Sequence, residues 1–228
     1  MEEFAMASPR RLGAPDAKNR AVLLDAAERL MLEEGYAAVT SRGVARRAGL
    51  KYQLVYYYFR TMDELLLAVF QRRAEEGLRR QAEALASPHP LRAIWDYSTR
   101  PGAAQIIIEF VALANHRQVI RDALTEYSMR FRENEVTALR KIMRHYDIDT
   151  EAFPPAVFAV MTAGLSRVLM LEESLDVTGG HAETLAFVEQ HLRRLEGTRS
   201  ESTERTPSEC SVRSRAESSS ARTRSGRA

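Results

Sequence analysis

Apolar residues recur at steps of three and four along most of the chain, which is the period of a helix with one buried face. The first such segment runs from residue 16 to Gly35, a residue type that commonly ends helices. Its apolar positions are Val22, Leu23, Ala26, Ala27, Leu30 and Met31. No stretch alternates apolar and polar residues as a half-buried strand does. The pattern therefore predicts an all-α fold.

Residues 40–59 predict two short helices joined by a tight turn. Thr40 is a suitable N-cap for the first helix, and Gly49 ends that helix at residue 48. In the second helix, predicted over residues 51–59, Val55 and Phe59 lie four positions apart and share an inward face. A short helix, a glycine turn and a second short helix have the spacing of a helix-turn-helix.

A long helix is predicted from residue 61 to about residue 86. Thr61 and Glu64 form a capping box, in which each side chain satisfies a free backbone N–H at the start of a helix. About five further helices should follow up to residue 196, separated by breaks at 87–90, 100–102, 115–117, 147–155 and 179–180. Residues 1–15 and 197–228 lack an apolar period, so they predict a flexible arm and a disordered tail.

Four tyrosines on the second short helix suggest what the helix-turn-helix binds. With Val55 inward, Tyr52 and Tyr56 must project elsewhere, and the neighbours Tyr57 and Tyr58 diverge from Tyr56 by about 100° a residue. Some of these phenols must therefore reach solvent or a partner. Hydroxyl and cationic groups suit phosphate oxygens and amides suit base edges, so a DNA-reading surface is predicted with Ser41, Arg42, Lys51 and Gln53. A helical hairpin whose tyrosines pack on another subunit has the same spacing.

Charge is distributed unevenly along the chain, although the formal net charge is only +2. Residues 10–60 carry ten Lys and Arg against five Asp and Glu, whereas residues 61–196 carry sixteen against twenty. A basic N-terminal module is consistent with a polyanionic partner.

Composition argues against several other classes of protein. The single cysteine, Cys210, excludes an intrachain disulfide and fits a reducing, cytoplasmic setting. The most apolar stretch, residues 153–171, contains two prolines and Arg167, so neither secretion nor a membrane span is expected. No phosphate-binding glycine loop, no di-iron motif and no histidines at ligand spacing are present, so we expect no catalytic residues, no metal and no cofactor.

The run from Gly49 to Phe59, followed by Thr61, Asp63, Glu64 and Leu65, resembles the signature of the TetR family of transcriptional regulators (TetR/AcrR-like). Glu34, Gly35, Tyr36 and Val39 to Ser41 match that family too, so the motif-level resemblance covers about residues 18–70. It implies a DNA-binding domain over residues 16–62 and a helical regulatory and dimerisation domain over 63–196. The operator contacts that it implies are Thr40, Ser41, Arg42, Lys51, Tyr52, Gln53, Tyr56 and Tyr57.

Three residues depart from the family pattern. Gly43 replaces a residue that is more often acidic, and helix propensity alone predicts a cost of about 1 kcal/mol relative to alanine. Leu54 replaces a small residue, and it would either touch a thymine methyl group or enlarge the core. Met62 stands where a lysine commonly approaches phosphate, so that contact is expected to be missing.

The resemblance also implies a homodimer and a small-molecule pocket in the C-terminal body. Two helices, over residues 153–171 and 181–196, would form a four-helix dimer interface. The interface residues expected are Phe158, Met161, Leu165, Leu169, Leu185, Val188 and Leu192. The pocket candidates, each of which has plain core packing as its alternative, are Trp95, Phe110, His116, Tyr127 and Phe131.

The function expected from the sequence is a homodimeric repressor that leaves a double-stranded DNA operator when a ligand binds. The apolar run at residues 106–108 favours an apolar ligand. The ligand must prefer the form whose reading helices are wrongly spaced for DNA, because equal affinity for both forms shifts nothing. The alternative is a helical dimer that binds a ligand or protein partner and has lost specific DNA binding.

Overall fold

The computed structural model describes residues 18–100 and 103–197, and the side chains of residues 103 and 104 are not included in that description. All regular structure in the described residues is helical, which confirms the all-α prediction. The predicted arm at residues 1–15 and all but the first residue of the predicted tail, including Cys210, lie outside the described residues. The helices are α1 Lys18–Glu34, α2 Ser41–Ala48, α3 Gln53–Tyr58, α4 Met62–Leu85, α5 Pro90–Ser98, α6 Ala103–Ala114, α7 Gln118–His145, α8 Pro155–Glu173 and α9 His181–Glu196.

The helix ends predicted around the helix-turn-helix are present. The Thr40 hydroxyl oxygen accepts from the Gly43 N–H at 3.1 Å, and Gly49 ends α2 in the left-handed conformation, at φ 66°. Thr61 caps α4 in the same way, through the Glu64 N–H at 3.1 Å. The capping box differs in its second half, because the Glu64 carboxylate accepts from the Arg60 N–H, at 2.8 Å, one residue before the cap. A 3₁₀ turn over Tyr36–Ala38 was not predicted.

Gly43 lies close to neighbouring atoms, a packing effect that the expectation from helix propensity does not include. A Cβ atom at this position would lie 2.9 Å from the Ala38 carbonyl oxygen and 3.0 Å from the Thr40 hydroxyl oxygen. Real Cβ atoms essentially never lie closer than 3.0 Å to a heavy atom elsewhere in the structure. The glycine therefore lets the 3₁₀ turn and the N-cap lie directly against the first turn of α2.

One hydrophobic core joins the helix-turn-helix to the helices that follow it. Leu23 on α1, Val44 on α2, Val55 on α3, Val69 on α4 and Phe110 on α6 are all fully buried in a single cluster. The cluster continues past residue 62, where the sequence places the end of the DNA-binding domain. Helix α6 packs on α1, on the 3₁₀ turn and on α7, so it contacts both the predicted DNA-binding part and the body.

By its internal contacts the described chain divides into two compact units, residues 18–179 and residues 180–197. The second unit contains α9, which begins after Gly180 and ends at Gly197. Among the described helices, α8 is the one long and apolar enough to cross a membrane by length and composition. This is weak evidence for a span, because the core helix of a soluble protein passes the same test.

Candidate DNA-binding surface and ligand cavity

Helix α3 buries one face, and three tyrosines on the helix and its N-cap are exposed. Val55 is fully buried and Phe59, which caps the helix, is 2% exposed. Tyr52, Tyr56 and Tyr57 are 48–49% exposed, as the spacing predicted. The exposed rings follow from geometry, because a six-residue helix can bury only one side against α2 and the core.

A hydrogen bond holds α3 against the start of α2. The Tyr56 hydroxyl donates to the Ser41 hydroxyl oxygen at 3.3 Å, so two predicted operator contacts lie next to each other. Tyr57 packs edge-on against Tyr58, with ring centroids 5.0 Å apart. The surface formed by Thr40, Ser41, Arg42, Lys51, Tyr52, Gln53, Tyr56 and Tyr57 is called the reading surface below.

Cations at the reading surface and near it differ in their surroundings. The cations Arg42 and Lys51 are exposed residues of the reading surface, and so is the uncharged Gln53. Arg47, one turn along α2, pairs instead with Glu33 and with Glu34 at the end of α1. Its charge is therefore partly neutralised within the chain, whereas the side chains of Arg42 and Lys51 extend from exposed positions where phosphate oxygens can approach.

The side chains of Leu54 and Met62, which depart from the family pattern, lie against the protein core. Both are partly buried and pack on the cluster that contains Val55 and Leu65. Of the two roles open to Leu54 from sequence, this placement favours core packing. Met62 adds apolar contact at the start of α4, where a lysine would have offered a cation.

A cavity of about 140 Å³ lies in the body between α5, α6, α7 and α8. Aromatic, polar and charged side chains all contribute to its wall. The lining residues are Tyr97, Ser98, Ile107, Leu124, Tyr127, Ser128, Phe131, Arg132, Glu135, Ala163, Ser166 and Arg167.

Two of the five residues predicted for a pocket, Tyr127 and Phe131, line this cavity. Phe110 does not, because its fully buried ring packs edge-on against Phe70 in the shared core, with centroids 5.0 Å apart. His116 is exposed after the end of α6, and the half-buried Trp95 lies on α5 outside the lining. Of the apolar run at residues 106–108, only the middle residue reaches the cavity.

Glu135 brings a carboxylate into the wall of the cavity, and it is only 4% exposed. Its partner among the described contacts is Arg132, whose Nε lies 3.9 Å from the carboxylate. Desolvation by burial raises the pKa of Glu135 to about 7, although the positive charges of Arg132 and Arg167 oppose that rise. The Nη1 atom of Arg132 is buried and has no hydrogen-bond partner. Two incompletely satisfied charges of opposite sign therefore share this wall.

Two cavity tyrosines are hydrogen-bonded to each other and lie against α4. Tyr97 and Tyr127 share a hydrogen bond between their hydroxyl groups, and burial raises the pKa of both phenols. The Tyr97 hydroxyl also donates to the Gly77 carbonyl oxygen at 3.4 Å. A Cβ atom at Gly77 would lie 2.6 Å from the Tyr127 hydroxyl oxygen, so a larger residue here would displace the Tyr127 side chain.

Hydrogen bonds connect the body to the helix-turn-helix part. On α6, the Glu109 carboxylate accepts from the Tyr36 backbone N–H at 2.7 Å, and the Gln105 amide donates to the Leu32 carbonyl oxygen at 2.8 Å. Arg117 donates to the Asp63 carboxylate, at 2.7 Å, at the start of α4. Ile107, which lines the cavity, lies on α6 between Gln105 and Glu109.

The residues expected at a dimer interface differ in exposure. On α8, Met161 is 58% exposed, Phe158 and Leu165 are partly buried, and Leu169 is buried. On α9, Leu185 is 46% exposed, Val188 is partly buried and Leu192 is buried. Several further apolar side chains of α8 are between 42% and 58% exposed, namely Val157, Val160, Val168 and Leu171.

Sequence reasoning missed most residues of the cavity wall, among them Glu135, Arg132 and Tyr97. A signal for the first was present, because Tyr127, Phe131, Glu135 and Leu139 follow one another at steps of four on α7. If this apolar stripe of α7 faces the protein interior, the acidic residue within it is buried as well. No such signal marks Tyr97, whose position depends on how α5 packs.

The described residues combine a helix-turn-helix, α2 and α3, with a helical body. Residues 23–69 match the model of the family described as bacterial regulatory proteins, tetR family. The chain is 26% identical over 183 residues to the HTH-type transcriptional regulator BetI of Rhizobium meliloti (strain 1021), covering 76% of this chain and 89% of that protein. These matches confirm the resemblance to transcriptional regulators of the TetR family.

Solved structures of transcriptional regulators share the fold. A TetR-family regulator from Rhodococcus sp. has a TM-score of 0.63 at 16% identity, over 79% of this chain and all of that one. A regulator from Saccharomonospora viridis, solved in complex with choline, has a TM-score of 0.60 at 19% identity, over 77% of this chain and 93% of that one.

Proposed function

We propose that this protein is a cytoplasmic homodimeric repressor that leaves a palindromic DNA operator when a small molecule occupies the body cavity. The observation that carries the DNA-binding part is the reading surface. Three half-exposed tyrosines project from α3 and its N-cap, and Val55, Phe59 and the Tyr56–Ser41 hydrogen bond attach this helix to the protein. Exposed apolar surface on a soluble protein often marks a site of interaction with a partner.

The two reading surfaces of a dimer would contact successive major grooves. The dimer is supported by the exposed apolar side chains of α8, which a second copy of the chain would remove from water. Two-fold symmetry then places the reading helices about 34–36 Å apart, one turn of DNA. Lys51, Arg42 and the tyrosine hydroxyls would contact phosphates, and Gln53 would contact a base edge.

Ligand control is supported by the position of α6. This helix presents Ile107 to the cavity and Glu109 to the 3₁₀ turn just before α2. A ligand that displaces α6 would shift the start of the helix-turn-helix, and hence the spacing of the reading helices in the dimer. The structural neighbour solved with choline supports a small-molecule ligand for the same fold.

Footprinting the purified protein on DNA upstream of its own gene and its neighbour, across a salt titration, tests this function. A two-fold symmetric protected site whose affinity falls steeply with salt is expected, because phosphate contacts release counterions. The double variant Lys51→Ala, Tyr56→Ala should abolish protection, while Lys141→Ala, an exposed lysine on α7, should leave it unchanged.

Loss of protection in both variants would point to a folding defect and not to the reading surface. If a selection from genomic fragments recovers no specific site for the folded wild-type protein, the DNA-binding proposal fails. The alternative, a helical dimer that has lost specific DNA binding, would then hold.

A further inference from the structure

The body cavity contains a buried carboxylate whose charge is not fully compensated by the chain. Glu135 is 4% exposed, and the nearest cation, Arg132, lies 3.9 Å away, which is longer than a hydrogen bond. A buried charge without a close partner is costly, so such groups in cavities usually meet a ligand, a metal or a proton. The described residues offer no group of three metal-ligating side chains, so Glu135 has no protein partners for a metal there.

Three aromatic rings contribute to the same wall. Tyr97 and Phe131 are stacked, with centroids 6.2 Å apart and planes inclined by 22°, and Tyr127 lies 5.7 Å from Phe131 at 55°. The faces of aromatic rings carry negative potential and attract cations, quaternary ammonium groups in particular. A carboxylate beside several such rings forms a site for a positive charge that is too bulky or too poorly solvated for an ordinary ion pair.

Arg132 and Arg167 also line the cavity, and their positive charges oppose the binding of a cation there. Arg167 is an exposed residue, so water screens its charge. Arg132 has a buried Nη1 atom with no acceptor, which a ligand oxygen would satisfy. The wall therefore offers a carboxylate and aromatic rings for a cation, together with one donor for an oxygen atom.

The volume of the cavity suits a compact ligand. At about 140 Å³ it is well below the roughly 300–1,000 Å³ of sites for drug-sized molecules. Cavities of about 150 Å³ are known to hold a benzene-sized ligand.

We propose that the ligand of this cavity is a compact organic ammonium ion that also carries an oxygen acceptor. Glu135 and the rings of Tyr97, Tyr127 and Phe131 hold the cationic group, and Arg132 donates to the oxygen. This replaces the apolar ligand expected from the sequence, and it rests on the proposed function in that the same cavity is the regulatory site.

Choline, its neutral carbon analogue 3,3-dimethylbutan-1-ol and the anion 3,3-dimethylbutanoate form a matched series that separates charge from shape. Binding to the full-length protein is measured by calorimetry, without DNA, at pH 8, where Glu135 is ionised. We expect choline to bind at least tenfold more tightly than either analogue. Glu135→Gln should reduce choline affinity by at least tenfold, and Glu126→Gln, an exposed position on the same helix, should not change it.

Equal binding of choline and the neutral alcohol would overturn the proposal, since the cavity would then select shape alone. Preferential binding of 3,3-dimethylbutanoate would overturn it in favour of an anion site at Arg132. Thermal unfolding of each variant shows that it is folded, and Phe131→Leu gives a second variant that removes a ring while leaving Glu135 in place. Because no DNA is present, a failure here leaves the reading surface untouched, and a failed footprint leaves this binding result standing.

Discussion

The Glu109 carboxylate accepts a hydrogen bond from the Tyr36 backbone N–H at 2.7 Å, and the two residues are 73 positions apart in the chain. This contact joins α6 to the 3₁₀ turn that precedes the helix-turn-helix. Since Tyr36 begins that turn, its N–H has no helical partner of its own, and the carboxylate satisfies it. A displacement of α6 would therefore either carry the 3₁₀ turn with it or break a charge-assisted hydrogen bond.

Replacing Glu109 should separate stability from ligand response. Glu109→Ala leaves the partly buried Tyr36 N–H without its acceptor, so we expect a loss of about 1–3 kcal/mol in the free energy of unfolding. Glu109→Gln keeps an acceptor oxygen and should lose less. Once an operator is known, the alanine variant should also show a smaller effect of ligand on DNA affinity, measured by fluorescence anisotropy. An unchanged ligand effect in a folded alanine variant would mean that this contact does not carry the signal.

Gly43→Ala should destabilise the protein even though alanine is the better helix former. The added methyl group would lie 2.9 Å from the Ala38 carbonyl oxygen, and we expect strain of about 1–3 kcal/mol in urea unfolding. Gly164→Ala on α8 is the control, because its methyl group meets nothing within 4 Å and helix propensity predicts a gain of up to about 1 kcal/mol. Unfolding at several protein concentrations separates any effect of α8 on association. If both variants are stabilised, the close packing at Gly43 is not as described.

These two glycines show what the sequence could and could not predict. Helix positions and caps depend on local chemistry, so the Thr40 and Thr61 caps were predictable from their own neighbourhoods. Whether a glycine is a defect or a requirement depends on what lies opposite it. At Gly43 the opposite atom belongs to a 3₁₀ turn that carries no strong sequence signal.

The cavity illustrates the same limit at longer range. The α7 stripe places Tyr127, Phe131 and Glu135 on one face, and that much follows from their spacing in the sequence. Which aromatic residues line a cavity depends on the packing of α5, α6 and α8. By residue type alone, Phe110 and Trp95 were therefore as good candidates as Tyr127 and Phe131. The exposure of Tyr52, Tyr56 and Tyr57 was easier to predict, because Val55 and Phe59 fix the orientation of a helix only six residues long.

Gly77 and Tyr127 should behave as a coupled pair. In Gly77→Ala the new methyl group would lie 2.6 Å from the Tyr127 hydroxyl oxygen, so the variant should lose about 1–3 kcal/mol of stability. Tyr127→Phe removes that oxygen, and the double variant should recover most of the loss. A double-mutant cycle by urea unfolding measures the coupling. Additive effects of the two substitutions would show that the hydroxyl group does not approach α4 closely.

The pH dependence of the free energy of unfolding should reveal the titration of the Glu135 carboxyl group. Its pKa is raised by burial from an ordinary 4.5 to about 7, so the folded protein binds a proton that the unfolded chain releases between those values. The free energy of unfolding should therefore fall as pH rises from about 4.5 to about 7, and change little above that range through this group. Glu135→Gln should remove this slope and be more stable than wild type at pH 8, by on the order of 2 kcal/mol.

Urea unfolding at pH 5, 6, 7 and 8 provides the measurement for Glu135, and Glu126→Gln controls for the lost charge. The control should keep the wild-type slope, because Glu126 is exposed. If Glu135→Gln keeps the slope as well, the carboxyl group titrates near its ordinary pKa and is better compensated by Arg132 than their separation indicates.

Once the operator is known, alanine substitutions of Lys51 and Gln53 should have different effects on DNA binding. Lys51→Ala removes the phosphate contact proposed for this lysine, so it should weaken binding about equally on all sequences. It should also reduce the slope of log affinity against log salt by about one. Gln53→Ala should keep the salt slope and lose discrimination at one base pair, by about 1–3 kcal/mol. Both residues are exposed within three positions of each other, so a general disturbance of α3 would affect both quantities in both variants. Only distinct effects of the two substitutions would assign phosphate contact to the lysine and base recognition to the glutamine.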